Sequence, residues 1–190
     1  MSEAQQNPVE LLKQADGVFR SVLGNVGPDQ MGLPTVSDEW DVRGLINHVV
    51  QGNSWGAANV RTGGAPRPSG DAIGDRDPMA AYEASADDLL AAFAEPGVLG
   101  RTVTMPFGEM PAAGLASFRF VDLISHAWDL AQATGQSTDI APELCEAALA
   151  QSRQHLAGRD RAHMPFKDEV HVPEEACAAD RLAGYLGKAV

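Results

Sequence analysis

The chain has 190 residues, 44% of them hydrophobic, with 26 acidic against 14 basic side chains and a formal net charge of −12. That length suits one domain able to bury a sizeable core without disulfides or an obligatory partner. The acidic balance and the scattered basic residues oppose binding to a phosphate backbone, so nucleic acid is not an expected partner.

The opening MSEAQQNPVELLKQ carries neither a basic start followed by an apolar run nor a cleavage-type ending. No later stretch approaches the about 18 uninterrupted apolar residues of a membrane span. The expectation is a soluble, cytoplasmic protein with no membrane partner. Cys145 and Cys177 lie far apart without C-x-x-C spacing and read as reduced thiols.

From Pro8 to Val26, apolar residues at Val9, Leu11, Leu12, Ala15, Val18, Phe19, Val22 and Leu23 follow the three-and-four spacing of an amphipathic helix, which Gly27 and Pro28 break. After a Gly/Pro-rich loop, Asp38 or Asp41 can cap a second helix, DVRGLINHVVQGNSWGAANV, with His48 near its middle. Residues 61–77, RTGGAPRPSGDAIGDRD, are rich in Gly, Pro and charge, and predict an unpacked, flexible surface loop.

Pro78 opens a third helix, PMAAYEASADDLLAAFAEP, closed by Pro96 and Gly97. RTVTMPFGEMPA alternates like a short strand around a turn and predicts a small hairpin or extended connector. Ala112 to Thr134 forms the most apolar helix, with Phe118, Phe120, Val121, Leu123, Ile124, Trp128 and Leu130 covering most of its circumference. A fifth helix starts near Pro142, a loop runs around Pro165 to Pro173, and AADRLAGYLGKAV ends the chain as a short amphipathic piece. With no internal repeat, residues 1–190 read as one mainly α domain.

Inside the apolar fourth helix, Asp122, His126 and Asp129 fall at i, i+4 and i+7 and share one narrow stripe. A carboxylate removed from water costs several kcal/mol unless it is paired or coordinates a metal. Two side chains one turn apart can hold one ion from the same side. His48 is the candidate third ligand, because Gly44 and Gly52 remove bulk four residues to either side of it and make a close helix-helix approach possible there. The bland alternatives are a core histidine bonded to a backbone carbonyl and an intrahelical Asp-His pair. Arg119, three residues before Asp122, could also neutralise that carboxylate.

DEWDVRGLINHVVQGN and FVDLISHAWDLAQATGQ together resemble the DinB-like superfamily, in particular the metal-binding domain of mycothiol-dependent maleylpyruvate isomerases, over nearly the whole chain. The carriers are the Trp-x-Val-x-x-Leu-x-x-His block from Trp40 to His48 and the Asp-x-x-x-His block from Asp122 to His126. The resemblance implies an up-down-down-up four-helix bundle binding a divalent metal, with His48, Asp122 and His126 at the ligand positions. Two departures bear on activity: Asp122 stands where relatives more often have His or Glu, and the chain ends without the isomerases' additional C-terminal domain. The isomerase activity is therefore not carried over. The ending AADRLAGYLGK resembles a stand-alone actinobacterial branch of unassigned chemistry.

Several residues stay outside the ligand set. Trp40, Trp55 and Trp128 read as core more readily than as a pocket. Asp129 could accept a hydrogen bond from a ligand histidine, or simply pack at the helix end. His155, His163 and His171 read as solvated.

A three-ligand metal keeps open positions and can activate a thiol or water. The resemblance makes that thiol a low-molecular-weight one such as mycothiol, attacking an electrophilic small molecule in a transferase or isomerase reaction. The rival expectation is a non-catalytic metal-binding or stress-response bundle, whose ion would be closed off by a fourth ligand such as Glu109 or His163. Zinc is the default metal, with nickel, iron or manganese also suited to the donor set. A homodimer is a further expectation.

Overall fold

The structure is a computed structural model describing residues 7–106, 108–161 and 166–190. Its α-helices are α1 (Pro8–Leu23), α2 (Val42–Thr62), α3 (Pro78–Phe93), α4 (Ala112–Ala133), α5 (Pro142–Leu156) and α6 (Ala178–Tyr185). The strands β1 (Thr102–Met105) and β2 (Gly108–Pro111) lie between α3 and α4.

Local chemistry sets the helix starts. Asn7 accepts from Val9 N at 3.0 Å ahead of Pro8, and Asp77 accepts from Ala80 N at 3.0 Å ahead of Pro78. In each case a side chain satisfies one orphan amide, and proline occupies a position that needs no donor. Of the two candidate caps for α2, Asp41 takes the role, accepting from Gly44 N at 2.7 Å.

The four long helices α1 to α4 form the DinB-like up-down-down-up bundle, in which α1 packs chiefly on α4 and α2 on α3. Leu12 and Phe19 of α1, Leu45 and Ile46 of α2, Tyr82 and Leu89 of α3, and Leu115, Phe120 and Ile124 of α4 fill the interior. Each such side chain contributes about 1.5–3 kcal/mol by leaving water. As its composition predicts, α4 is central: α1 and α2 pack against it, and α5, α6 and the strands cover more of its circumference.

The strands form an antiparallel hairpin with Val103 opposite Met110 and Thr104 opposite Glu109. Thr104 N also donates to Gly63 O at 2.9 Å, which ties the hairpin to the end of α2. Among the described residues no helix is long and apolar enough to cross a membrane.

The 61–77 crossover departs from its expectation as an unpacked loop. Ile73 is 1% exposed, Trp55 Nε1 donates to Ala65 O at 2.8 Å, and Gln51 and Asn47 both donate to Gly70 O. Polar side chains of α2 satisfy the loop's backbone, so its polar composition does not prevent it from packing.

Candidate metal centre

His48 lies in the second turn of α2, half-buried, and Asp122 and His126 lie one turn apart on α4. One donor atom from each of the three falls within 4.8 Å of the other two. The His48 and His126 rings meet edge to face with centroids 5.1 Å apart. Trp40, in the segment that enters α2, stacks on His48 at 4.2 Å and 25° and stands edge-on to His126 at 6.2 Å.

A buried polar chain runs through these residues. Ser85 Oγ of α3 accepts from Asn53 Nδ2 at 3.2 Å, and Asn53 Oδ1 accepts from Arg119 Nη2 at 2.8 Å. Arg119 Nη1 donates to Asp122 Oδ2, while Asp122 Oδ1 faces His126 Nε2 at 3.5 Å. His126 Nδ1 lies 2.8 Å from Asp129 Oδ2, and Lys188 Nζ donates to both Asp129 oxygens at 2.7 and 2.8 Å. In neutral His126 a proton on Nδ1, donated to Asp129, leaves the lone pair on Nε2, the nitrogen on the side of Asp122 Oδ1.

The electrostatics follow from this chain. Burial, with His126 beside it, pulls His48 down to about 4, so its ring is neutral and has a lone pair to offer near neutral pH. Burial alone would raise the Asp122 carboxyl, but Arg119 and His126 outweigh it and hold the group well below the usual carboxylate range. Burial opposes a charge on His126, yet Asp122 and Asp129 outweigh it and raise its pKa.

The donor set fits a divalent metal. Two imidazoles and one carboxylate oxygen, gathered within 4.8 Å of one another, are the ligand types that zinc and its neighbours take. Arg119 does not block the set, because it holds Oδ2 of Asp122 and leaves Oδ1 facing His126.

The structure thus brings His48 to the Asp122 and His126 pair that helical spacing singles out, with Asp129 against His126. It also realises the rival partner, since Arg119 does pair with Asp122. The reason for Gly52 differs from the expected close helix approach. A Cβ there would lie 2.6 Å from Arg119 Nη1, so the glycine makes room for the guanidinium. Trp55 and Trp128 are buried, as core readings require, whereas Trp40 is only half-buried and belongs to the site.

Glu109 is exposed on β2 and lies outside the donor cluster. His155 and His171 are exposed, and His163 lies outside the described residues. Asn53 and Lys188 escaped the sequence reading. Asn53 follows His48 on α2, among polar residues that carry no local mark of burial, and Lys188 is 59 residues from its partner.

A cavity of about 50 Å³ adjoins the donors, lined by His48, Asp122, Arg119, Trp55 and Gln51, with Arg67 and Pro68 exposed at its rim. Across Phe118 lies a cavity of about 450 Å³ between the hairpin, α4 and α5, with Met110, Val121, Leu156 and Phe166 in its wall.

The fold and side chains define a DinB-like helical bundle with a His, Asp, His donor cluster. Residues 12–131 match the Mycothiol maleylpyruvate isomerase N-terminal domain, and the chain belongs to that family. Uncharacterized proteins from two strains of Mycobacterium tuberculosis, CDC 1551 / Oshkosh and ATCC 25618 / H37Rv, are each 39% identical over 189 residues. The match covers 97% of this chain and 99% of theirs.

Among solved structures, that of the mycothiol-dependent maleylpyruvate isomerase superposes with a TM-score of 0.61 at 20% identity. A histidine-to-alanine mutant of that enzyme gives 0.60 at 21% identity. In both cases the match covers 75% of this chain and 66% of the isomerase chain, so it speaks for the fold, over part of the isomerase's length.

Proposed function

We propose that the protein is a divalent-metal enzyme that joins a low-molecular-weight thiol of the mycothiol type to an electrophilic small molecule, as a transferase or isomerase. The observation that carries this reading is the convergence of His48, Asp122 and His126 beside a small polar cavity. A divalent metal, zinc by default and nickel, iron or manganese as alternatives, would supply Lewis acidity that favours the thiolate form of a bound thiol.

The protein's own residues prepare that centre. His48 offers a neutral ring held by Trp40, Asp122 is turned by Arg119 so that one oxygen stays available, and His126 is oriented by Asp129. The chain's cysteines are not suited to be the nucleophile. Burial pushes the Cys145 thiol up to about 12, and burial raises Cys177 as well. The sulfur therefore comes from a second molecule, as the family's name describes for mycothiol.

The 50 Å³ cavity holds little more than the sulfur end of such a thiol, which leaves its body outside. The apolar 450 Å³ cavity on the far side of Phe118 is of ligand size and offers room for the electrophile's hydrocarbon part. A second reading is a non-catalytic bundle with a structural or sensory ion; the Arg119–Asp122 pair, which compensates the buried carboxylate without a metal, favours the sensory form, in which the fold stands with or without the ion.

The test is metal content by plasma mass spectrometry on untagged protein, with His48→Ala and His126→Ala beside wild type, followed by thiol consumption with mycothiol and a panel of electrophiles. About one metal per chain, lost in both variants, with metal-dependent thiol consumption supports the enzyme. Metal without turnover favours the second reading, and no metal after reconstitution overturns both.

A further inference from the structure

The segment that follows α6 returns to the donor cluster. Gly187, at φ 87°, closes α6 in the left-handed conformation, and Lys188 N bonds back to Ala183 O at 3.0 Å, a Schellman-type ending that redirects the chain. Lys188 Nζ then meets four acceptors of α4: the carbonyl and hydroxyl of Ser125 and both carboxylate oxygens of Asp129. The ammonium lies 5.9 Å from the Trp128 ring centroid, and Trp128 Nε1 donates to Asp180 Oδ1 of α6 at 2.8 Å.

This geometry bears on His126. Its Nδ1 is 2.8 Å from Asp129 Oδ2, the oxygen that also accepts from Lys188 at 2.7 Å. The terminal torsion of an aspartate is broad, so a carboxylate held at one point can turn. Lys188 grips both oxygens and is itself fixed by Ser125, the residue immediately before His126. Asp129 is 4% exposed, so water offers little replacement for the lost grip.

We propose that Lys188 is a positioning residue of the metal centre: by clamping Asp129 it fixes the His126 ring in the orientation that presents Nε2 to the ion, so the tail after α6 sets metal affinity. The proposal rests on the metal-binding reading above. It also accounts for the closing motif AADRLAGYLGK, whose Asp180 and Lys188 both bond to α4.

The test measures zinc affinity by competition with a chromophoric chelator, and thermal melts with and without zinc, for the full chain and its Lys188→Met, Lys188→Gln and Lys188→Arg variants. Loss of a partner that orients a ligand histidine typically lowers metal affinity about 10–100-fold, and that is the loss expected for K188M and K188Q. K188R, which keeps a charged donor, is expected to recover most of it. The rise in Tm on adding zinc should shrink in K188M in step with its affinity.

A merely structural lysine would lower the melts with and without zinc alike and leave the affinity unmoved. Zinc bound by wild type, K188M and K188Q within about twofold overturns the positioning role and leaves the metal site standing. No zinc bound by wild type overturns the site and the positioning role together. Should K188M fail to fold, K188Q and K188R decide the matter.

Discussion

Asp16 and Asp122 are both buried carboxylates gripped by an arginine of their own helix, at i+4 for Arg20 and i−3 for Arg119. Their surroundings differ in what remains unsatisfied. Arg20 Nε donates to both oxygens of Asp16, Tyr82 OH adds a third bond at 2.8 Å, and Arg20 is held in turn by Asp87. Asp122 spends one oxygen on Arg119 and keeps the other facing His126, with His48 within reach. Arg119 Nε is the buried side-chain atom without a partner among the described residues. Burial of a carboxylate therefore does not by itself single out a candidate metal centre; leftover acceptor capacity beside histidines does.

The sharpest test of that contrast exchanges the two sites. His126→Ala is expected to lose the metal while Asp16→Ala keeps it, read by metal content per chain. Asp16→Ala should instead cost about 1–3 kcal/mol by leaving the Tyr82 hydroxyl and Arg20 without their acceptor. At about 2–4 °C per kcal/mol for a chain of this size, that is a fall of several degrees in Tm. Metal loss in the Asp16 variant would erase the distinction.

Glycines beside each carboxylate sharpen it. A Cβ on Gly52 would strike the Arg119 guanidinium, which Asp122 and Asn53 hold in place, so Gly52→Ala is expected to cost about 1–3 kcal/mol in denaturant unfolding. Gly17, next to Asp16 in the interior of α1, has nothing within 4 Å of an added Cβ. Gly17→Ala should raise stability by about 0.5–1 kcal/mol through helix propensity. Opposite signs are the expected outcome, and equal effects would mean that Arg119 yields freely.

The smallest effect belongs to Trp40. Its ring stacks on His48, and such contacts contribute about 0.5–1.5 kcal/mol. Trp40→Ala should weaken zinc binding by a few-fold to about tenfold in the chelator competition. An unchanged affinity would return Trp40 to the role of packing.

Much of this was legible along the chain. The three-and-four pattern of α1, the apolar circumference of α4, the cap ahead of α2, the proline that opens α3 and the hairpin around residues 102–111 all stand where local pattern places them. The stripe of Asp122, His126 and Asp129 was legible for the same reason, since residues one turn apart on a helix share a face whatever surrounds it. The crossover was not. Ile73 is the one large aliphatic side chain in a polar run, and its burial depends on Asn47 and Gln51 of α2 reaching the loop backbone.

By itself the sequence determined the helical class, the element order and the pairing of an Asp with a His on the most apolar helix, because these depend on rise and rotation per residue within one element. Only the tertiary structure decided that His48 meets that pair, that Arg119 takes one oxygen of Asp122 with Asn53 behind it, and that Lys188 clamps Asp129. Those contacts depend on the register and approach of separate helices, which packing of the whole core sets and no local spacing encodes.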